Sequence, residues 1–453
     1  MKVLVIGAGK LGTKVATAML NGEIDVTVMD NNKIVLNRLK EQLDVLTINA
    51  NGAVKSVLEE LNMKAYSLVI AVTSSDEANI LITSMAKELG CQRTIARIRK
   101  PEYANQIEFL KKLYKINHVI NPELATSNEI LRYLMKSYTF YFGDYAQGKV
   151  SLGNYNIKNS SFFVNKKIHE LKKFDKLLIV AILRNGDIII PNGNTILLEN
   201  DYIYIIGERN NIKVVTDLLK EFSTSRKTIK KVMILGGSKI SYYLADKLSK
   251  KGVIVKIIES DLNRCRELAE TLSNKVLIIH GNGTDVNLLE EENLSDMDAF
   301  IGVTGFDEQN LFTALRAKQL EVPKVIAKIS RESYVHIIEK LGIDMAINPV
   351  NITASDVVKY IRGGKVVSVS LLLGGHAEVT EIIVSKGLKI LNVPIQKLNL
   401  PKGIIIGAIV HNNHIIIPDG NSIIQPGDRI VVFSLLTEVP ALEMFFRLGK
   451  DNK

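Results

Sequence analysis

Val3-Leu4-Val5-Ile6-Gly7-Ala8-Gly9-Lys10-Leu11-Gly12 is an apolar run followed at once by G-x-G-x-x-G. The run reads as a buried strand, and Leu11, Val15, Ala18 and Met19 beyond it fall on one helical face. Strand, glycine turn and helix in that order open a βαβ unit. There Gly7 permits the tight turn, Gly9 lets main-chain N–H groups approach a pyrophosphate, and Gly12 lets the helix pack on the strand. The helix N-terminus, from Ala8 through Lys10 and Leu11, adds a dipole that favours phosphate charge. Asp30 closes the second strand 18 residues beyond Gly12, where a carboxylate accepts hydrogen bonds from an adenosine ribose. Asn31 and Asn32 follow, with no arginine for a 2′-phosphate, so NAD is favoured over NADP. The plainer alternative is a glycine turn that only packs a helix on a strand.

Outward from the loop, apolar runs at Val3–Ile6, Val26–Met29, Val45–Ile48, Leu68–Val72 and Thr94–Ile98 alternate with helical periodicity. This predicts an α/β fold with a doubly wound parallel sheet of Rossmann type. Asp76, and Asn121 with Pro122, stand where helix N-caps and first-turn prolines belong. Thr73, Ser74 and Ser75 end the fourth strand, where the strand order should reverse. They either line the nucleotide crevice or cap the next helix. Arg97 and Arg99, flanking Ile98 at the fifth strand end, are candidates for phosphate oxygens. Glu123 sits in the first turn of a helix, where the dipole favours a carboxylate in any case.

The whole pattern occurs twice, with a shift of about 230 residues. Val3–Gly7 matches Val232–Gly236, AVT with DEAN at 71–79 matches GVT with DEQN at 302–310, and Asn121-Pro122 matches Asn348-Pro349. AILRNGDIIIPNGN at 181–194 matches AIVHNNHIIIPDGN at 408–421. The later part of each half is β-rich, with Asn185-Gly186 marking a hairpin in one copy and Asn412-Asn413 in the other. Four lobes are expected: two tandem copies of a Rossmann-type lobe (1–137 and 231–363), each followed by a small β-rich α+β lobe (138–225 and 364–453). The polar, basic stretch 223–230 is the expected linker. In the second copy the loop reads Gly236-Gly237-Ser238-Lys239-Ile240-Ser241, with serine at two of three glycine positions and Glu259 in the acidic position. The two readings there are a nucleotide site of altered preference and no ligand at all.

Composition removes several classes. The chain has 453 residues, 46% hydrophobic and 23% charged, without an apolar run of the ~18 residues a membrane helix needs. The N-terminus enters a strand directly and carries no signal-like segment, so a cytosolic protein is expected. Cys91 and Cys265 are too far apart in sequence, and too few, for a disulfide framework or a zinc site. Net charge is +10, and residues 1–230 hold 32 Lys and Arg against 23 Asp and Glu; no basic segment interleaved with aromatics suggests nucleic acid. A dehydrogenase needs a positioned proton-transfer group. Tyr145 and Lys149 have a suggestive spacing but enclose a glycine, the seven histidines are scattered, and His411 with His414 flank a turn. Binding without turnover is the expectation, with a soluble NAD-dependent oxidoreductase as the alternative.

The glycine loop with Asp30, the AVTSSDEAN and GVTGFDEQN segments, the two Asn-Pro elements and the paired IIIPNGN and IIIPDGN hairpins together resemble the TrkA family of regulators of Trk-type potassium uptake, built from tandem RCK (KTN) domains. The likeness covers essentially the whole chain and lies in the repeat more than in the loop. It implies a peripheral cytoplasmic homo-oligomer, a dimer or tetramer forming a ring, docked beneath a membrane-embedded potassium-translocating subunit. It implies NAD(H) or the adenine nucleotides ATP and ADP as ligands. By the same resemblance Gly7 to Leu11, Asp30, Thr73, Ser74 and the Arg97-Ile98 strand end would contact the first ligand, and Gly236, Gly237, Ser238 and Glu259 the second. A regulator of potassium efflux or antiport would use the same modules.

Overall fold

The computed structural model describes residues 1–446 apart from 21–23, 136–142, 158–159, 161, 172–175, 185–186, 213–214, 216–228, 332–333, 335–340, 363–365, 373–375, 389 and 413. The chain divides into two compact units, Met1–Met135 with Thr228–Val358, and Lys136–Lys227 with Lys359–Lys453. Like parts of the repeat are therefore grouped together: one unit holds the parallel sheets and the other the antiparallel ones.

The first sheet of the parallel unit has six strands, Lys2–Ile6, Asp25–Asp30, Leu46–Asn49, Leu68–Ala71, Arg93–Arg97 and His118–Ile120, in spatial order 3-2-1-4-5-6. Val3, Leu4 and Val5 are fully buried, as expected for a central strand covered by helices on both faces. The second sheet, Lys231–Leu235, Ile254–Glu259, Val276–His280, Ala299–Gly302, Lys324–Lys328 and Met345–Ile347, repeats the order. In both sheets the strand order reverses between strands 1 and 4, which opens a crevice at the carboxyl ends. The sixth strand in each copy has three residues, too short to leave a period-two signature in sequence.

The two parallel lobes share side chains. Helix Pro122–Met135 ends the first lobe, yet its Ile130, Tyr133 and Leu134 are buried in one cluster with Ile240, Leu244 and Leu248 of helix Lys239–Lys250 and with Ile326. At ~1.5–3 kcal/mol per fully buried large apolar side chain, three such residues contribute on the order of 5 kcal/mol to holding the lobes together. Lys324 Nζ donates to the carbonyls of Tyr133 and Leu134, each at 3.1 Å, at the helix C-terminus where a cation is favoured.

In the second unit each sheet has five antiparallel strands. They are Gly143–Tyr145, Val150–Asn156, Leu177–Arg184, Asp187–Ile189 and Tyr202–Glu208 in one copy. The other has Val366–Leu372, Ala377–Ile383, Ile404–His411, His414–Ile416 and Arg429–Leu435. Counted along the chain, both follow the order 4-3-5-2-1. Leu152, Ala181, Tyr204 and Ile206 of one copy share a core with Val379, Ala408, Val431 and Phe433 of the other.

Each hairpin is tied down by a buried aspartate. Asp187 stands opposite Arg184 in the ladder, while the Arg184 guanidinium binds buried Asp201 at 2.8 Å. The equivalent pair in the second copy is His411 Nδ1 to buried Asp428 at 2.6 Å. The hairpin residues Asn185, Gly186 and Asn413 and the linker positions 223–228 lie outside the described residues, while Asn412 adopts a left-handed φ of 45°.

Candidate nucleotide site

Gly7 leaves the first strand with a φ of +110°, and its N–H donates to the Met29 carbonyl at 2.8 Å. A Cβ there would lie 2.9 Å from the Val72 backbone, so both conformation and space require glycine. A Cβ on Gly12 would stand 1.8 Å from the Gly7 carbonyl oxygen, which is the close packing of helix Lys10–Leu20 on the loop. Gly9 differs: a Cβ built on it meets nothing within 4 Å. The middle glycine faces open space at the helix N-terminus, with Gly9 and Lys10 exposed and Ala8 and Leu11 buried. Asp30 reaches back under this loop. Its Oδ2 accepts the Ala8 N–H at 2.7 Å and its Oδ1 the Asn32 N–H at 2.8 Å, which leaves one lone pair on each oxygen for a further donor.

At the switch point Thr73 is held by a residue the sequence reading did not single out. Asn79 is fully buried; its Oδ1 accepts the Thr73 N–H at 2.8 Å and the Thr73 hydroxyl at 2.7 Å, while its Nδ2 donates to the Arg97 carbonyl at 2.9 Å. Ser75, and not Asp76, caps helix Asp76–Glu88. Asp76 is instead buried and accepts the N–H groups of Arg99 and Lys100, both at 2.8 Å. The second copy reproduces both devices, Asn310 with Thr304 and Lys328, and Asp307 with Ser330 and Arg331. The signal for Asn79 and Asp76 was the repeated DE-x-N segment itself. Ser74 lends its carbonyl to the Arg99 guanidinium.

Arg97 and Ile98 part company. Ile98 is fully buried and packs with Ile80, Ala96, Leu110 and Ile116, so it lines the core. Arg97 points toward Glu123, with 3.6 Å between Nη2 and Oε1. Burial pushes the Arg97 pKa down and the Glu123 carboxylate partly restores it. Arg97 Nε and Glu123 Oε2 are both buried without a hydrogen-bond partner among the described residues. Arg99 is committed to Asp76, at 3.2 Å, and to the Ser74 carbonyl.

In the second copy Gly236 keeps the turn, with a φ of +96°, but the rest of the loop is differently held. Ser241, in the place of the third glycine, donates its hydroxyl to the Gly236 carbonyl, and Ser238 caps helix Lys239–Lys250. Glu259 accepts the N–H groups of Gly237 and of Asp261, the latter at 2.8 Å. Burial opposes ionisation of Glu259, yet these N–H donors and Ser260 hold its carboxyl below the usual range. Arg264 donates to the Gly237 carbonyl. A cavity of about 530 Å³ lies beside this loop, with Lys100 and Asn105 of the first lobe facing Ser238, Lys239 and Arg264 of the second.

The residues weighed for other chemistry are elsewhere. Tyr145 is buried at the end of a strand, and Lys149 follows a short 3-10 turn rather than a helix. His411 is engaged by Asp428 and His414 is exposed; among the described residues no group of three His, Cys, Asp or Glu side chains could hold a metal. Cys91 and Cys265 are buried, and burial raises both thiol pKa values. Among the described residues no helix is long and apolar enough to cross a membrane.

The first crevice fits a dinucleotide or nucleoside phosphate on three local grounds: the space over Gly9 that a Cβ would fill, the remaining acceptor capacity of Asp30, and the orphaned Arg97 Nε. A glycine-loop lobe followed by an antiparallel lobe, twice over, defines the class of chains built from duplicated Rossmann-type and β-rich lobes. Residues 3–122 and 232–349 match the TrkA-N domain, and residues 154–220 and 379–447 match the TrkA-C domain. The chain is 35% identical over 455 residues to a Methanosarcina mazei protein named Trk system potassium uptake protein TrkA homolog 2, covering 99% of this chain and 100% of that one. It is 33% identical over 457 residues to the Haemophilus influenzae Trk system potassium uptake protein TrkA, with 99% of each covered. Among solved structures, the GsuK RCK domain aligns with a TM-score of 0.56 at 18% identity, covering 98% of this chain and 94% of that one, a likeness of fold. The chain belongs to the TrkA family of Trk-system potassium uptake proteins.

Proposed function

We propose that this chain is the nucleotide-sensing regulatory subunit of a Trk-type potassium uptake system, and that it binds NAD(H) or an adenine nucleotide in the first lobe without transforming it. The open space over Gly9, at a helix N-terminus and beside Asp30, carries this reading. One GsuK structure of the same fold is described as bound to NAD and another as bound to ADP, which supports both ligand classes here. The phosphates rest on the Gly7 to Leu11 main chain, Asp30 takes the ribose, and Thr73, Ser74 and Arg97 face the far half. Gly236, Gly237, Ser238 and Glu259 form a second site of different preference. The functional lobes are 1–137, 138–225, 231–363 and 364–453. The chain acts as a homo-oligomeric ring on the cytoplasmic face of a membrane-embedded potassium-translocating subunit.

Regulation then needs no covalent step. A ligand that binds one arrangement of lobes better than another biases the membrane partner by the difference, typically ~1–3 kcal/mol per coupled site. The test is to incubate the purified chain with NADH and a set of metabolites while following both binding and absorbance. Saturable binding with unchanged NADH, together with nucleotide-dependent potassium flux through a copurified membrane protein, is expected. Steady NADH consumption would instead identify an oxidoreductase.

A further inference from the structure

Helix Lys239–Lys250 of the second lobe begins at the second glycine loop, and its second turn carries the buried Tyr243. The Tyr243 hydroxyl crosses into the first lobe, where it donates to the Arg99 carbonyl at 2.9 Å and accepts from Asn121 Nδ2 at 3.1 Å. Asn121 Oδ1 in turn accepts the Leu124 N–H at 2.9 Å, at the start of helix Pro122–Met135. One hydroxyl from the other lobe therefore joins the exit of strand Arg93–Arg97 to the first turn of that helix. These are the segments that carry Arg97 and Glu123.

The second lobe, of the same topology, handles the equivalent junction differently. Its backbone is alike: the Ile98 N–H donates to the Ile120 carbonyl and the Ile329 N–H to the Ile347 carbonyl, both at 3.0 Å, and Asp307 holds the Ser330 N–H as Asp76 holds that of Arg99. The side chains differ. Asn348 donates directly to the Ser330 carbonyl at 3.4 Å, and the position equivalent to Tyr243 is Lys14. Where the second lobe spans the gap with one bond, the first spans it with two. The lobe that receives the hydroxyl is also the one with the charge pair, since Arg97 and Glu123 have Lys328 and Val350 as counterparts. Arg97 Nη2 and Glu123 Oε1 stand 3.6 Å apart, well beyond the ~2.7–2.9 Å of a charge-assisted hydrogen bond. Arg97 Nε and Glu123 Oε2 keep unspent bonding capacity among the described residues. A pair that loose is set by the spacing of the backbones that carry it, and Tyr243 fixes that spacing.

We propose that Tyr243 of the second lobe is a positioning residue of the first lobe's nucleotide site: its hydroxyl holds the Arg97–Glu123 gap open, so that the Arg97 guanidinium is presented to the ligand instead of closing on Glu123. This rests on the nucleotide reading of that site. Tyr243 acts through Arg97 and does not itself touch the ligand. Without the hydroxyl, Asn121 closes on the Arg99 carbonyl as Asn348 does on that of Ser330, and Glu123 moves with it toward a full ion pair with Arg97. The placement of the second lobe's helix is then part of the first site's affinity.

The experiment titrates NADH by calorimetry into the full chain as wild type, Tyr243→Phe, Arg97→Lys and the double variant, with melting temperatures read alongside. Tyr243→Phe is expected to lose affinity by about threefold or more in the wild-type background and to have little further effect beside Arg97→Lys, because the two residues act as one unit. Lys324→Met is the control: it removes the bonds from Lys324 Nζ to the Tyr133 and Leu134 carbonyls and so weakens the same lobe contact at the far end of the helix. It should melt lower and bind NADH like wild type. Unchanged affinity in Tyr243→Phe, an equal loss in both backgrounds, or an equal loss in Lys324→Met overturns the proposal. If wild type does not bind NADH, the nucleotide reading fails first and takes this assignment with it.

Discussion

Glu259 is the residue whose charge state is most tied to the loop it supports. Its carboxylate accepts two backbone N–H bonds that a protonated acid would keep less well. Its folded-state pKa is lowered, so the stability it contributes is fully present above the unfolded value of ~4.3 and is lost as pH falls through the folded value. Glu259→Gln should therefore destabilise the chain at pH 7 by about 1 kcal/mol. That deficit should shrink as pH drops below the unfolded pKa, as read by denaturant melts at several pH values. A deficit that stays constant across that window would show the carboxylate charge to be irrelevant. Gly7, Gly12 and Asp30 were legible in sequence because their spacing encodes backbone geometry. Asn79 was not assigned a role, because a side chain pinning two strand ends depends on tertiary placement.

At the scale of elements, the contact between helix Lys239–Lys250 and the first lobe depends on Tyr243. Its hydroxyl donates to the Arg99 carbonyl at 2.9 Å and accepts from Asn121 Nδ2 at 3.1 Å, and burial pushes its pKa up to about 12. Tyr243→Phe keeps the ring but strands two polar partners, so a loss of about 1–2 kcal/mol in unfolding free energy is expected. An unchanged melt would mean that water replaces the hydroxyl without cost. The alternation of strands and helices announced both parallel sheets. The exchange of helix Pro122–Met135 onto the neighbouring lobe was not announced, because an amphipathic stripe says that a face is buried and not against what. The paired latches Arg184–Asp201 and His411–Asp428 show the same limit: the hairpins aligned in sequence, but the aspartates that tie them lie 17 residues away.

For the whole molecule, two halves of one topology carry glycine loops held in different ways. The first loop keeps all three glycines and opens over Gly9, while the second replaces two by serine and ties Ser241 to Gly236. Grouping of like lobes puts both glycine loops in one unit, whose core joins the last helix of the first lobe to the helix that follows the second loop. The most direct test is a calorimetric titration of NADH into the full chain and into Gly9→Asp, which places bulk and negative charge where the phosphates would rest. Saturable binding by the wild type, with loss of at least a hundredfold in affinity in a variant that melts normally, is the predicted result. Equal affinity in the two proteins would contradict the account at its centre.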